Sequence, residues 1–342
     1  MRYLAKTFLA FLSAVALSAA PAAAAAQTTD LAQQSRALER AANAVVGVQT
    51  LAVPDARSNA TLGRMRQGSG VVIDASGLVL TIGYLILEAD QVQLLLDDGR
   101  SLPARVAGYD LATGFGLLQP LAPLNIAPAP LGQSQAVGKD DDLLIASGAP
   151  MGELSAARLL SRRSFAGYWE YRIEGALFTS PPRTDHSGAG LFNPRGELVG
   201  IGSLVVADAM GPDAREGVRV PGNMFVPTDL LRPILGELSR SGSTAASRRA
   251  WLGVNCIEQG GQLRVVRVND DSPAEAAGLR VGDRIVGIDG TAVTTLDALW
   301  TRLWTGAAER DVALEIERDD ARQSLNVRTV DRQRQLRRAS GV

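Results

Sequence analysis

The chain has 342 residues, of which 46% are hydrophobic, a formal net charge of −1 and a single cysteine. This apolar fraction is enough to fill packed cores, and the length corresponds to about two domains. A charge so close to zero excludes the strongly basic face of a nucleic-acid-binding protein, and one cysteine excludes an intrachain disulfide.

The first 26 residues form a candidate leader. Arg2 and Lys6 precede an apolar run from Phe8 to Leu17, and alanines follow as far as Ala26. This charged, apolar and small-residue order is typical of a secretory signal peptide, and a run of about ten apolar residues is short for a membrane span. We therefore expect a periplasmic or secreted protein, with a membrane anchor as the alternative if the leader stays uncleaved.

Short strands separated by turns dominate the middle of the chain. Residues 27–67 predict a helix, a first strand and a loop, and residues 68–238 alternate apolar runs with turn residues, as in antiparallel barrels. The predicted strands are Gly68–Asp74, Gly77–Thr81, Gln91–Leu96, Ala104–Gly108, Gly116–Gln119, Leu143–Ser147, Tyr168–Phe178 and Glu197–Ala207. Leucine and isoleucine at helical spacing predict a helix over Thr228–Arg240.

The last hundred residues have a different organisation. Residues 239–249 lose their apolar character and predict a solvated linker. In residues 250–330, Ser272 and Gly278 bracket a capped helix, and a second helix is predicted from about Thr295 to Trp304. Residues 331–342 are charged and predict a disordered tail.

Ser187 is the candidate nucleophile. It lies in the sequence Thr-Asp-His-Ser-Gly-Ala-Gly-Leu, residues 184–191. Small residues after a serine let backbone N–H groups approach a bound carbonyl, as an oxyanion hole requires. On these eight residues alone, the simpler interpretation is a glycine-rich approach to a hairpin.

Together these landmarks resemble the HtrA (Deg) family of exported trypsin-like serine proteases with a C-terminal PDZ domain. The resemblance covers roughly residues 35 to 330. It is carried by the motifs Gly68–Ile73, the Asp110 stretch, Ser187-Gly188, Gly196–Ile201, Phe225–Pro227 and Ser272–Leu279. It implies a mainly β fold, with a chymotrypsin-like double β-barrel over residues 68–238 and a small α+β PDZ domain over residues 250–330.

The resemblance also implies a degenerate catalytic triad. Tyr84 stands at the position of the general-base histidine, and Gly114 stands at that of the orienting aspartate, Asp110 being the family's non-catalytic first acid. Only the nucleophile position, Ser187, is retained. Asp185 replaces the glycine whose N–H lines the oxyanion hole, where a carboxylate would crowd and repel an oxyanion.

The residues predict no other base for Ser187. His186 is the only histidine, and adjacent side chains in an extended segment or turn point apart. Lys139 lies in an Asp-rich loop and is expected to be solvated, and Tyr84 is a weak base because an unperturbed tyrosine has a pKa near 10. Losing a triad base costs on the order of a million-fold in turnover, so the sequence predicts a pseudoprotease. One histidine and one cysteine cannot build a zinc site, and we expect no cofactor.

The PDZ resemblance implies that the C-terminal domain captures an extended peptide by strand addition. The peptide would pair along Val254–Ile257 with its terminal carboxylate on the preceding loop. The predicted peptide-binding residues are Leu252, Gly253, Val254, Trp300 and Leu303. Without the resemblance, the apolar face from residue 296 to 303 is the ordinary core of a helix.

Three functions remain open at this point. The first is an exported, non-catalytic protein that binds peptide or unfolded-protein C-termini, in envelope protein quality control or as a regulator of an active protease. The second is a weakly active trypsin-like serine endopeptidase that uses Ser187. The third is a structural subunit of a homo- or hetero-oligomer. None of the three involves nucleic acid.

Overall fold

The computed structural model describes residues 20–139, 141–150, 152–211, 214 and 218–337, with side chains from Ala32 onward. These residues form two closed six-stranded barrels followed by a smaller sheet. Most of the predicted leader lies outside them. No helix in the described part of the chain is long and apolar enough to cross a membrane.

A helix, α1 (Ala20–Asn43), leads into the first barrel, which has the strand order β1-β2-β3-β6-β5-β4. Its strands are β1 (Val45–Ala52), β2 (Met65–Val72), β3 (Val79–Ile82), β4 (Ala89–Leu95), β5 (Ser101–Tyr109) and β6 (Phe115–Pro120). Two short helices, α2 (Asn59–Leu62) and α3 (Gly83–Ile86), interrupt them. Because β1 pairs with both β2 and β4, the barrel begins at Val45 and not at residue 68 as predicted.

The second barrel has the order β10-β11-β12-β9-β8-β7. Its strands are β7 (Asp142–Ala146), β8 (Leu154–Gly167), β9 (Tyr171–Ser180), β10 (Gly190–Phe192), β11 (Leu198–Val206) and β12 (Gly222–Pro227). The sequence prediction missed β8, which is 14 residues long but interrupted by polar residues that blur its alternation. It also extended the next strand over residues 168–170, which form the turn between β8 and β9.

The segment between the second barrel and the third sheet is ordered, contrary to the prediction of a solvated linker. Helix α4 (Leu235–Ser241) replaces the second half of the predicted 228–240 helix, and a 3-10 turn at Thr228–Leu230 replaces its beginning. Thr244 and Ser247 are buried, and both hydroxyls donate to the Asp110 carboxylate in the first barrel. A buried carboxylate therefore fixes this segment.

The third sheet is the predicted PDZ domain, with the order β14-β15-β16-β18-β19 and β17 paired to β16. Its elements are β13 (Ala250–Trp251), β14 (Val254–Gln259), β15 (Gln262–Val268), α5 (Pro273–Ala276), β16 (Arg284–Ile288), β17 (Thr291–Ala292), α6 (Leu296–Leu303), β18 (Asp311–Arg318), β19 (Ala321–Arg328) and β20 (Val330–Asp331). Both predicted helices are present, and Ser272 caps α5 by accepting from the Glu275 N–H.

The start of the predicted disordered tail is ordered as well. Strand β20 pairs with β13, and a 3-10 turn follows at Arg332–Gln335. The Arg337 N–H then donates to the buried Glu88 carboxylate in the first barrel, at 2.8 Å. The C-terminal segment thus returns to the barrels, at least as far as Arg337.

One hydrophobic cluster extends through both barrels, a second cluster lies within the second barrel, and the PDZ domain has its own core. Phe115 and Phe178 are fully buried in the barrels, and Trp300 is fully buried in the PDZ domain. Each such side chain contributes about 1.5–3 kcal/mol by leaving water. The prediction of a mainly β, double-barrel fold followed by a PDZ domain is confirmed.

Candidate active site and peptide groove

Ser187 lies beside the tyrosine that the sequence placed at the base position. The Tyr84 hydroxyl is 2.8 Å from Ser187 Oγ and 2.8 Å from the Ser203 carbonyl oxygen. Helix α3 presents Tyr84 because Gly83 packs directly on Tyr109, and a Cβ at Gly83 would lie 2.0 Å from the Tyr109 ring. The structure therefore brings Tyr84 and Ser187 together across the two barrels.

The Tyr84 hydroxyl is poorly suited to remove a proton. Burial raises the pKa of Tyr84, and the hydrogen bond with Ser187 opposes this only in part. The hydroxyl has a single proton, so it can donate a hydrogen bond to only one of its two neighbours, Ser187 Oγ or the Ser203 carbonyl oxygen. When this proton points to the Ser203 carbonyl, the phenol oxygen is left to accept the Ser187 hydroxyl proton in a hydrogen bond. The pair is a stable neutral contact and has little basicity at pH 7.

Gly114, which the resemblance places at the position of the orienting aspartate, lies next to Tyr84 in a closed space. Gly114 accepts a 2.6 Å hydrogen bond from the Gly83 N–H, which places residue 114 directly behind Tyr84. Gly114 has a φ of 78°, and a Cβ there would lie 2.9 Å from the Tyr171 hydroxyl oxygen. Tyr171, from the start of β9, thus occupies the space that a carboxylate would need. Sequence reasoning did not anticipate this residue.

Asp185 has a charge partner that the sequence analysis did not foresee. Its carboxylate accepts from Arg183 Nε at 2.8 Å and Nη2 at 2.5 Å, and from the Ser147 hydroxyl. Burial raises the pKa of Asp185, but the bonds from Arg183 and Ser147 outweigh it and hold the pKa below its ordinary value. The expected repulsion of an oxyanion is therefore reduced, because a guanidinium neutralises this carboxylate.

The two other candidate bases face elsewhere. Nδ1 of His186 lies 3.1 Å from the Arg183 carbonyl oxygen, and burial lowers the pKa of His186 below its ordinary value, so the ring is neutral at pH 7. Lys139 is exposed. Among the hydrogen bonds of the described residues, neither side chain bonds Ser187 Oγ. The same part of the chain holds no group of three His, Cys, Asp or Glu side chains suited to a metal ion.

The loop predicted to hold a carboxylate does hold one, from within the chain. The N–H groups of Leu252, Gly253 and Val254 donate to the Glu170 carboxylate at 3.2, 2.7 and 3.1 Å. Gly253 is required for this loop, because its φ is 85° and a Cβ there would lie 2.3 Å from Ser272 Cβ. These three residues are therefore brought together as a carboxylate-binding loop.

Neighbouring groove positions also contact the barrel. The Cys256 N–H, in the edge predicted to pair with a peptide, donates to the Tyr168 carbonyl at 2.8 Å. Trp300 Nε1 donates to the Gly167 carbonyl, also at 2.8 Å. Leu303 is fully buried in the PDZ core, so its role in a peptide pocket stays a prediction.

The residues that fill this groove were missed by sequence reasoning, although one signal was available. Four of the chain's 16 Phe, Tyr and Trp residues lie between Phe165 and Tyr171, in a chain that is only 5% aromatic. Clustered aromatic residues at a turn commonly mark a contact surface. No local pattern, however, pairs Glu170 with a loop more than 80 residues away.

Two family models match the chain in the order of these two sites. Residues 68–201 match a trypsin-like peptidase domain, and residues 250–329 match a PDZ domain. The first match includes Tyr84, Gly114 and Ser187, and the second includes the carboxylate-binding loop and α6.

Curated relatives align with most of the chain. A protein from Synechocystis sp. named as a putative serine protease, HhoA, is 30% identical over 290 residues, which are 77% of this chain and 70% of HhoA. The serine endoprotease DegS of Escherichia coli is 28% identical over 310 residues, 85% of this chain and 84% of DegS. A probable periplasmic DegP-like serine endoprotease of Pseudomonas putida is 28% identical over 281 residues, but the match spans only 55% of that protein.

Solved structures agree with the fold. The HtrA-type protease AlgW with a bound tripeptide aligns with a TM-score of 0.53 at 22% identity, covering 89% of this chain and 97% of AlgW. AlgW with a decapeptide aligns with a TM-score of 0.54 at 21% identity, covering 87% and 98%. At this level of identity the likeness concerns the architecture.

Proposed function

Since the chain belongs to the HtrA family of trypsin-like serine proteases with a PDZ domain, we propose that it is an exported member that binds peptides without cleaving them. Its ligands are the free C-termini of peptides or unfolded proteins. The observation that carries the proposal is the loop of Leu252, Gly253 and Val254, whose three N–H groups hold a carboxylate at 2.7–3.2 Å. Strand addition beside such a loop is a general mode of peptide capture.

The surroundings of Ser187 support the non-catalytic part. A serine hydroxyl needs an adjacent base to attack a carbonyl. Tyr84 contacts Ser187 with a raised pKa, and the space beside Gly114 is filled by the Tyr171 hydroxyl. A triad without its base and acid retains only the contribution of substrate binding and of the oxyanion hole.

The relatives and the leader pattern support an envelope location. Relatives from Pseudomonas and Salmonella are named as periplasmic serine endoproteases. In that setting, a protein that recognises exposed chain ends serves protein quality control, or regulates an active protease by presenting or withholding those ends.

A weak endopeptidase is the second candidate, and one observation favours it. Ser187 is retained and half-buried, and HhoA and DegS are named as serine proteases. Digestion of casein by the exported chain, beside Ser187→Ala, separates the two functions. We expect no cleavage by either protein, and no labelling of Ser187 by a fluorophosphonate probe. Cleavage and labelling that both disappear in Ser187→Ala would establish the endopeptidase.

Peptide binding is tested with a fluorescent pentapeptide, Ala-Gly-Tyr-Trp-Val, which repeats residues 166–169 and ends in a free carboxylate. We expect the chain to bind this probe and to reject the same probe with a C-terminal amide. Gly253→Glu should lose binding, because the loop cannot keep its φ of 85° beside Ser272. Val281→Glu, an exposed PDZ position, is the matched control and should bind as the unaltered chain does. Equal binding of acid and amide probes would refute recognition of chain ends.

A further inference from the structure

The last residue of β8 and the turn that follows it, residues 167–170, enter the PDZ groove; we call this segment the hairpin tip. Glu170 is 2% exposed, and its carboxylate accepts from three N–H groups of the loop at residues 252–254. Burying a carboxylate is costly unless hydrogen bonds replace its water. These bonds supply that replacement, and they use the same donors that a peptide carboxylate would need.

The backbone of the hairpin tip occupies the rest of the groove. The Tyr168 carbonyl accepts from the Cys256 N–H on the outer edge of β14, whose other edge pairs with β15. The Gly167 carbonyl accepts from Trp300 Nε1 on α6. The tip therefore lies between β14 and α6 with a carboxylate at the loop, which is the arrangement of a ligand added to a sheet edge. No incoming peptide can make these bonds while the tip is present.

Two further contacts hold the tip from outside the groove. Arg332, in the C-terminal segment, donates from Nη1 to the Glu170 carbonyl at 2.8 Å. Arg172, at the start of β9, donates from Nε to the Asp297 carboxylate in the first turn of α6, at 2.7 Å. Arg332 contacts the hairpin tip, but it is part of neither the hairpin nor the groove.

Two features of Glu170 destabilise the docked hairpin tip. Glu170 adopts a φ of 57°, a left-handed conformation that is strained for a residue other than glycine. Burial raises the pKa of Glu170 above its ordinary value, despite the charge of Arg332 and the three N–H bonds. Both features reduce the free energy gained when the Glu170 carboxylate binds the loop. A ligand that lacks the strained φ and the buried side chain can therefore compete with it.

We propose that the hairpin tip is an internal ligand of the PDZ groove, and that a peptide with a free terminal carboxylate binds only after displacing Glu170. This inference rests on the peptide-binding function proposed above. The observed affinity then equals the intrinsic affinity multiplied by the fraction of molecules in which the tip has left. If about 1% of molecules have an open groove, binding is about 100-fold weaker than the groove allows.

The test compares the full chain with Glu170→Ala and Arg332→Gln. The two readouts are affinity for the pentapeptide probe and hydrogen exchange at the amides of residues 252–254 and 256. We expect Glu170→Ala to bind the probe at least about tenfold more tightly and to lose protection at these amides. Arg332→Gln should shift both readouts in the same direction by a smaller factor, with the hairpin and groove residues intact. Asp142→Ala removes an exposed carboxylate outside the groove and should change neither readout.

The outcomes separate the inference from the proposed function. Unchanged amide protection in Glu170→Ala and Arg332→Gln would overturn the internal ligand. So would lost protection in variants that bind the probe measurably but no more tightly than the unaltered chain does. If the amides lose protection but no variant binds the probe or its amide form, the tip occupies the groove and the peptide-binding function fails. Should Glu170→Ala not fold, judged by its unfolding transition, Arg332→Gln alone decides through the same two readouts.

Discussion

Three tyrosines lie at or beside the positions to which the resemblance assigns a catalytic histidine and aspartate. Tyr84 contacts Ser187 Oγ, Tyr171 closes the space beside Gly114, and Tyr109 packs against Gly83. Burial raises the pKa of each of these side chains. At the scale of single residues, the surroundings of Ser187 are therefore a buried cluster of neutral tyrosines, in which the Tyr84 hydroxyl hydrogen-bonds Ser187 Oγ.

Three substitutions made together should restore the reactivity of Ser187. Tyr84→His supplies a base, Gly114→Asp supplies its partner at a φ that aspartate tolerates better than most residues, and Tyr171→Phe removes the obstructing hydroxyl. We expect the triple variant to react with a fluorophosphonate about 100-fold faster than the unaltered chain, since a positioned base typically contributes that much.

Two controls accompany that measurement. The triple variant with Ser187→Ala should not react, and Tyr84→His alone should gain much less, because loss of the orienting acid costs about 10⁴-fold in a serine protease triad. A triple variant that reacts no faster than the unaltered chain would show that something other than these tyrosines silences Ser187.

At the scale of elements, Asp110 connects the first barrel to the segment before the PDZ domain. Its carboxylate is fully buried and accepts from the hydroxyls of Thr244 and Ser247, and from the N–H and hydroxyl of Thr113. The Leu111 N–H donates in turn to the Ser247 hydroxyl at 2.9 Å. The family's non-catalytic first acid thus has a structural role in this chain.

Asp110→Ala should release this segment. Several buried donors would lose their acceptor, so we expect the free energy of unfolding to fall by about 2–4 kcal/mol. Trypsin should then cut faster after Arg248, which is exposed but lies in an ordered segment. Asp98→Ala, which removes an exposed carboxylate paired with Arg100, should change neither quantity by much. Equal cutting rates for the two variants would contradict the role of Asp110.

At the scale of the whole molecule, two separate sets of contacts hold the PDZ domain against the barrels. The hairpin tip contacts it through Glu170, and the segment after β20 returns to the first barrel through the Arg337 N–H and Glu88. Strand β20 also pairs with β13 at the start of the domain. Since these contacts come from distant parts of the chain, the domain's position depends on all of them.

A chain that ends at Thr329 should therefore be less stable and have a more open groove. It loses β20, the bond from Arg332 to Glu170 and the bond from Arg337 to Glu88. We expect its unfolding midpoint to drop by about 5 °C, as a loss of 1–2 kcal/mol would cause, with faster hydrogen exchange at residues 252–254. Arg334→Ala, which breaks an exposed ion pair with Glu309, is the control and should leave both unchanged. An unaltered midpoint and exchange rate in the shortened chain would refute this coupling.

The sequence by itself determined the kind of fold and pointed to several of the residues that meet at the two sites. Alternating apolar runs and turn residues are local signals, and they indicated most of the barrel strands. They missed β8, whose polar residues mask its period, and β12. The helix cap at Ser272 is equally local, and it is confirmed. The resemblance to known motifs located Ser187, Tyr84 and Gly114, which the fold does bring together.

Only the tertiary structure decided what surrounds those residues. The partners of Ser187, Asp185 and Asp110 depend on side chains that meet across the barrels, and no local pattern records such meetings. The same holds for Glu170, which lies 82–84 residues before the N–H groups that bind it. A carboxylate in a polar turn is ordinary in sequence. It becomes a ligand only when packing places it against the N–H groups of a loop that is distant in sequence.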